Sequence, residues 1–322
     1  MELAADQELA PDRRAEVDRL LAAAATADGH APLSEQAAVV LDHGASASAG
    51  TGAHGDARWL FAARSPDGTL DGLAVVTRSP AAAVWAVETV VHPDHRQGQV
   101  TEGRLLQAVV DHAGQAGGGV VRYWAFCTPP DHDAAVRPFG FVPERSLLQM
   151  RVPLPLDPDG RRGDAAIAVR AFRPGLDEAA WLVANNRAFA DHPEQGGWDT
   201  ATITARELAP WFDPDGFLLY EVDGRLAGSC WTKVHTDTDP PMGEIYVISV
   251  DPDFAGRGLG RGLTVAGLDH LAGLGLTLGM LYVDAANQAA VGLYRSLGFA
   301  VDHTDRAYVL SLPLTAPETA SP

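Results

Sequence analysis

The residues Asp253-Phe254-Ala255-Gly256-Arg257-Gly258-Leu259-Gly260-Arg261-Gly262-Leu263 follow an apolar, β-prone run that ends at Val250, and they precede a helical pattern. Glycine lets a backbone come close to a ligand, and the unpaired N–H groups of a helix start favour phosphate. The chemistry implied is a pyrophosphate cradle, although a flexible turn without a ligand has the same composition. A P-loop is excluded because it needs Lys followed by Ser or Thr, and a dinucleotide fingerprint belongs in an early βαβ unit. Lys233 is the only lysine in the chain. Elsewhere the basic positions are Arg, so either this position resisted a compositional bias or one lysine survived by chance. A compact ammonium is not replaced by a planar guanidinium without moving its donors. Cys127 and Cys230, 103 residues apart, form neither a CxxC pair nor a disulfide framework, and both are expected to be inert core thiols. No His, Cys, Asp or Glu cluster has metal-ligand spacing, so no metal is expected.

The elements that must position these residues come from an internal repeat. Val91-His92-Pro93-Asp94 recurs as Val250-Asp251-Pro252-Asp253 at an offset of 159, and Phe139-Gly140-Phe141 matches Leu297-Gly298-Phe299 at an offset of 158. Two copies of one αβ unit therefore follow in tandem. Residues 153–166, rich in Pro, Gly and charge, read as a linker, and 315–322 as a disordered tail with nothing to bury. The expected domains are thus 1–152 and 167–314. In the second copy the patterns predict a strand over 167–172, a helix over 176–189 and a second helix ending near Phe212. Strands follow over 216–222, 226–234 and 244–250, the first two joined by the Asp223-Gly224 turn. A helix to about Leu274, a strand over 276–283, a helix over 287–297 and a last strand complete the unit. The first copy follows the same plan, with helices over 13–27 and 35–41, the latter capped by Ser34. A loop through Gly55 leads to strands over 59–63, 72–77 and 84–91, a helix ending near Gly114, and strands over 120–126 and 147–152.

Composition limits the partners. With 42 acidic against 24 basic side chains the formal charge is −18, and no basic run exceeds two residues, so a nucleic-acid partner is not expected. No apolar stretch approaches the ~18 residues of a membrane span, and no basic segment directly precedes a long apolar core. A cytoplasmic, monomeric protein acting on a small molecule is the expectation.

The order strand, V-D-P-x-x-x-G-R-G-L-G, helix, strand, N-x-A-A-x-x-L-Y-x-x-L-G-F resembles the acetyl-CoA-binding core of the GNAT superfamily of N-acetyltransferases. The resemblance covers nearly all of 165–312 and, more weakly, 1–152. It implies an α/β fold of two tandem GNAT (acyl-CoA N-acyltransferase) domains, each a mixed, mostly antiparallel sheet flanked by helices, with the first copy degenerate and the second catalytic. It also implies acetyl-CoA as co-substrate. One departure is Ala255, where the family usually has Gln or Arg. Within the superfamily, the segments 192–198 (His-Pro-Glu-Gln-Gly-Gly-Trp), 231–235 (Trp-Thr-Lys-Val-His) and 243–247 (Gly-Glu-Ile-Tyr-Val) resemble the mycothiol synthase family. That family acetylates the cysteinyl amine of cysteinyl-glucosaminyl-inositol. A related tandem acetyltransferase for another amine, such as an aminoglycoside or a protein N-terminus, and a non-catalytic acetyl-CoA-binding regulator are the alternatives.

Carried over residue by residue, the resemblance implies Glu244 as general base and Tyr294 as acid to the departing thiolate. A free α-amine has a pKa of roughly 7.7–8.0, so a carboxylate can take its proton without extreme tuning. Glu35, Glu194, Lys233, Glu244 and Tyr282 are implied substrate contacts, although Glu35 is also what a first helical turn prefers. Ile248, Ser249 and Val250 would offer strand backbone to the pantetheine arm. Ala255, Gly256, Arg257, Gly258, Leu259, Gly260 and Arg261 would cradle the pyrophosphate, with Asn287, Gln288, Ala289, Ala290, Val291 and Gly292 at the sulfur end. In the first copy the counterparts are Thr89, Val90 and Val91, followed by Gln97, Gly98, Gln99, Val100, Thr101 and Glu102. There Gln99 and Thr101 replace Gly258 and Gly260, degrading the cradle, while Trp85 and Val136 replace Glu244 and Tyr294. Acetyl-CoA without turnover is the expectation for that copy.

Overall fold

The computed structural model describes residues 2–5, 11–43, 57–79, 83–158, 167–190, 195–236 and 238–314. The expected tail over 315–322 and most of the expected linker and Gly55 loop lie outside them. In chain order the elements are β1 (Glu2–Ala5), α1 (Pro11–Asp28), α2 (Glu35–His43), β2 (Ala57–Arg64), β3 (Leu70–Ser79), β4 (Val84–Val91), α3 (Val100–Gln115), β5 (Gly119–Ala125), α4 (His132–Val136) and β6 (Val142–Pro153). They continue with β7 (Arg170–Ala171), α5 (Glu178–Ala188), α6 (Thr200–Glu207), β8 (Phe217–Val222), β9 (Arg225–His235), β10 (Met242–Val250), α7 (Leu259–Gly273), β11 (Leu278–Asp284), α8 (Gln288–Ser296) and β12 (Ala300–Leu312). Among the described helices none is long and apolar enough to cross a membrane.

Several local choices follow directly from residue chemistry. Pro11 opens α1, where its missing N–H costs nothing. Ser34 caps α2, its Oγ accepting from Ala37 N at 3.1 Å. Asp223 and Gly224 both take positive φ, 52° and 75°, which gives the tight β8–β9 hairpin the twist it needs. The expected strand over 167–172 shrinks to Arg170–Ala171, because Ile167 and Val169 pack against a core cluster instead. The pairing of β1 with β2 was not anticipated.

The chain forms two compact units, Met1–Leu147 with His303–Pro322, and Leu148–Asp302. This corrects the expected boundaries at 152 and 167. Unit 1 has the strand order β1-β2-β3-β4-β5-β12, and unit 2 has β6-β11-β10-β9-β8-β7. Each sheet is therefore completed by the closing strand of the other sequence copy. Both closing strands end alike, Val152-Pro153-Leu154 and Leu312-Pro313-Leu314, so the sequence pattern does not say which core each one finishes. The β1–β2, β2–β3, β3–β4, β5–β12, β7–β8, β8–β9 and β9–β10 pairs are antiparallel, and the β4–β5 and β10–β11 ladders are parallel, with a helix making the crossover.

Strand alternation feeds a core on each face of each sheet. In unit 1, Leu73 and Val75 face α1 and α2 beside Leu20 and Val40, while Ala74 and Val76 face α3 beside Leu105 and Val109. In unit 2, Trp231 and Val247 pack with Trp181 of α5 and Ile203 of α6, while Cys230 and Ile245 pack with Leu263, Leu268 and Leu271 of α7. Unit 1 draws Tyr308 of β12 into its centre, where the ring stacks 6.0 Å from Tyr123 and the hydroxyl meets His132 Nδ1 at 2.8 Å. Tyr308→Ala should accordingly cost about 3–5 kcal/mol, as for other large buried aromatics. Hydrogen exchange should accelerate at amides of β5 and leave those of β8 and β9 protected.

Candidate active site

In unit 2 the site begins with an irregularity. The β9–β10 register runs Glu244↔Lys233 and Ile245↔Thr232, then jumps to Val247↔Trp231, which leaves Tyr246 as a bulge. A bulged strand bends and gains twist. Accordingly β10 pairs with β11 only over Gly243–Ile245, opposite Gly279–Leu281, although β10 continues to Val250 and β11 to Asp284. The two strands part just beyond Glu244, and Ile248, Ser249 and Val250 line that parting.

Glu244 is 7% exposed and Lys233 8%, an acid and a base on directly opposed positions of one sheet face. The Glu244 carboxylate lies 2.7 Å from His235 Nε2. The Lys233 ammonium sits 4.8 Å from the Trp211 ring centre and 5.6 Å from that of Tyr246, an aromatic corner that offsets part of its desolvation. Tyr246 is itself held by Arg206, whose Nε donates to the hydroxyl at 3.1 Å. Tyr282 stands on β11 two residues beyond Glu244's partner Met280, 40% exposed, its hydroxyl accepting from Gln149 Nε2 at 2.9 Å. Glu244, Lys233 and Tyr282 are thus brought to one region of unit 2. Glu194 lies outside the described residues, and Glu35 is described only as the first residue of α2 in unit 1. The second half of the expected substrate loop is fixed to α5, with Asn186 both donating to Trp198 O at 2.7 Å and accepting from Trp198 N at 3.0 Å.

Tyr294 lies on α8 in the core beneath α7, 7% exposed, its ring 5.7 Å from that of Phe299. Burial, with a smaller contribution from Cys230, pushes its hydroxyl up to about 12. The phenol therefore stays protonated across the neutral range.

The turn after β10 runs into α7. Gly256 and Gly258 take φ of 75° and 76°, and space is open within 4 Å of where a Cβ would stand on either. Gly258 caps α7, so the first N–H groups of that helix point out of the turn, with the Arg257 and Arg261 side chains alongside. Arg261 Nη1 donates to Ser296 Oγ at 2.7 Å, tying the turn to α8. Asn287 caps α8 through Ala290 N at 3.1 Å, so residues Gln288–Gly292 form a second helix start. The open turn and the helix start suit a phosphate-bearing cofactor.

Unit 1 keeps the backbone and changes the chemistry. Trp85 pairs with Val121 in the parallel ladder as Glu244 pairs with Met280, and it is fully buried with Nε1 donating to Gly118 O at 3.0 Å. Val136 is buried. Gln99 takes the left-handed turn of its counterpart Gly258 at φ 54°, and Gly98 takes φ 66°. A cavity of about 250 Å³ beside that turn is lined by Thr89, Val90, Val91, Gln99 and Glu102, among others. Within it the Glu102 carboxylate accepts from the Tyr123 hydroxyl and lies 2.9 Å from His132 Nε2. This places an anion in the first turn of α3, where a pyrophosphate would have to approach. Val100 and Thr101 enter the helix, Thr101 buried.

Sequence reasoning assigned no role to His235, whose signal was its position two residues after Lys233 on the same strand face. It also did not foresee Trp211 and Tyr246 as the enclosure of Lys233. Spacing concealed the convergence of His30, Cys127 and His303, whose ligand atoms lie within 4.8 Å of one another in unit 1.

The fold and the glycine turn define a class of protein, and comparison with known proteins agrees. The profile of the Acetyltransferase (GNAT) family matches residues 175–299. Among solved structures, a GCN5-related N-acetyltransferase from Sphaerobacter thermophilus superposes with a TM-score of 0.66 at 23% identity, covering 98% of this chain and 97% of that one. A tandem GNAT protein from the clavulanic acid biosynthesis pathway gives 0.65 at 17% identity, covering 98% and 100%. These likenesses concern the fold. Closer in sequence, the mycothiol acetyltransferase of Thermobispora bispora is 45% identical over 87% of this chain and 90% of its own length. That of Thermomonospora curvata is 45% identical over 89% and 91%. The chain belongs to the mycothiol acetyltransferase family of GNAT proteins and is an acetyltransferase.

Both turns favour glycine at the left-handed position, which only the second one has. Gly258→Ala should cost about 1–2 kcal/mol from the left-handed conformation alone. Gln99→Gly should instead stabilise unit 1 by about 0.5–1 kcal/mol, the strain relieved less the added chain entropy. Denaturant unfolding of each variant checks the two signs.

Proposed function

We propose that unit 2 transfers acetyl from acetyl-CoA to the cysteinyl amine of cysteinyl-glucosaminyl-inositol, the acceptor that the family's name as mycothiol acetyltransferases points to. The observation that carries this reading is a buried carboxylate, Glu244, fixed through His235 at the point where β10 leaves β11. The edge of Ile248–Val250 that β11 leaves unpaired receives the pantetheine arm there. Residues Ala255–Arg261 hold the pyrophosphate through backbone N–H groups, and Asn287–Gly292 flank the sulfur.

His235 occupies one carboxylate oxygen of Glu244, leaving the other to accept the amine proton as the C–N bond forms. Lys233 and Tyr282 hold the acceptor's hydroxyl groups. The Tyr294 hydroxyl serves the departing sulfur. Burial pushes its pKa up to about 12, so it holds its proton while the sulfur departs. Tyr294 therefore stabilises the thiolate as a hydrogen-bond donor, and the sulfur takes its proton from solvent after release. Unit 1, with Trp85 and Val136 at the corresponding positions, contributes no turnover.

Mass gain and free CoA are followed for purified protein with acetyl-CoA and a panel of amines that includes cysteinyl-glucosaminyl-inositol. That acceptor should be preferred, and preference for an aminoglycoside or a peptide N-terminus would replace this reading. Glu244→Gln should lower kcat by about 10²–10⁴, the range for a general base. Near-normal turnover would place the base elsewhere. Activity should rise through the amine's pKa of about 7.7–8.0 and show no falling limb from Tyr294 below about pH 10. The sign follows from burial, which raises the phenol and so preserves its proton as pH increases. Tyr294→Phe should lower the rate without moving the profile between pH 6 and 9.

A further inference from the structure

We infer that His30, Cys127 and His303 form a binding site for a divalent ion of the zinc class in unit 1. The three side chains come from the segment after α1, the end of β5 and the body of β12, and each is half-buried. Two imidazoles and one thiolate are a borderline-soft ligand set suited to zinc, and three protein ligands leave a fourth tetrahedral position open. His30 and Cys127 line the unit 1 cavity, so the open position faces a space that admits water or a small thiol.

The surroundings orient the ligands. His30 Nδ1 lies 2.7 Å from Ala31 O, which fixes the proton on that nitrogen and turns the Nε2 lone pair toward Cys127 Sγ, 2.6 Å away. The His30 and His303 rings lie nearly parallel, 5.0 Å apart. Behind the ligands stands Asp305, 3% exposed, which accepts from Cys127 N at 2.9 Å and lies 3.6 Å from His303 Nε2. The Cys127 thiolate offsets part of the charge of a divalent ion. Ligand bonds of about 2.0–2.3 Å in a tetrahedron put donor atoms about 3.3–3.6 Å apart. Binding therefore spreads Nε2 and Sγ by roughly 1 Å, within reach of a side-chain rotation. The metal–sulfur bond replaces the S–H bond and one proton leaves to solvent.

The test uses the full-length protein, stripped with a chelator and titrated with Co²⁺. One equivalent should bind with a thiolate-to-cobalt charge-transfer band, and Zn²⁺ should bleach it. The chain has two cysteines, so Cys230→Ser should keep the band and Cys127→Ser should abolish it. His30→Gln, which retains both thiols, should weaken Co²⁺ binding at least about tenfold, and it decides the matter even where Cys127→Ser fails to fold. The site is overturned by absence of the band in the unsubstituted protein, by its survival in Cys127→Ser, or by unchanged affinity in His30→Gln. A thiol that reacts equally fast with an alkylating reagent in the presence and absence of Zn²⁺ also overturns it, identifying the cluster as a Cys–His pair only.

Discussion

Tyr246 is one residue more than β9 can pair, and the geometry around Glu244 in unit 2 depends on that surplus. Before it, side chains alternate as in any strand, with Glu244 toward the α5–α6 face and Ile245 into the core under α7. After it, Val247 and Ile248 resume the alternation one step out of phase, so Ile245 and Ile248 share a core although they are an odd number of positions apart. The added bend carries β10 away from β11 after a three-residue ladder. In unit 1, β4 keeps unbroken register with β3, and its ladder with β5 continues to Glu88 opposite Trp124. The β9–β10 pair that bulges also carries a buried carboxylate where β10 leaves β11, whereas the corresponding β3–β4 pair has no register shift.

The two copies show which features belong to the fold and which to the reaction. Both turns contain a helix-capping residue in the left-handed region, although in unit 1 that residue is Gln99 and the conformation costs energy that Gly258 does not incur. The turn is thus required by the strand-to-helix crossover as such. Glycine adds room, since nothing lies within 4 Å of a Cβ at Gly256 or Gly258. Unit 1 fills the equivalent region with a carboxylate held by Tyr123 and His132, and the network continues through Tyr308 to Asp133. A polar network with several mutual partners rigidifies its surroundings, and here it anchors β12.

Much of this was legible because the repeat supplied an internal alignment. The offset of 159 set Trp85 against Glu244, and the two parallel ladders pair these residues in equivalent registers. The Asp223-Gly224 hairpin and the Ser34 cap were legible for a different reason, being local chemistry that tertiary packing does not override. What escaped was non-local. The exchange of β6 and β12 could not be read, since both present the same apolar pattern to whichever sheet receives them. His30 and Cys127 are 97 positions apart, and no spacing rule spans that distance. The bulge was hidden because Glu244–Val250 reads as an uninterrupted strand, and only the length of its partner makes Tyr246 surplus. Of the implied acceptor contacts, Lys233 and Tyr282 come together with Glu244 through β9–β10–β11 adjacency. The sequence alone could supply that adjacency only through resemblance.

The two thiols show how environment decides reactivity. Cys230 is fully buried beneath α7, so close that a Cβ on Gly267 would come within 2.5 Å of its sulfur. Burial pushes this thiol up to about 12, so it holds its proton at neutral pH. Desolvation suppresses the thiolate while retaining the sulfur as a packing atom. The same apolar surroundings raise Tyr294, so one low-dielectric core keeps both groups protonated. Cys127 faces an imidazole instead, in an opening of unit 1. Burial depth thus separates Cys230, closed off by packing, from Cys127, which lines an opening.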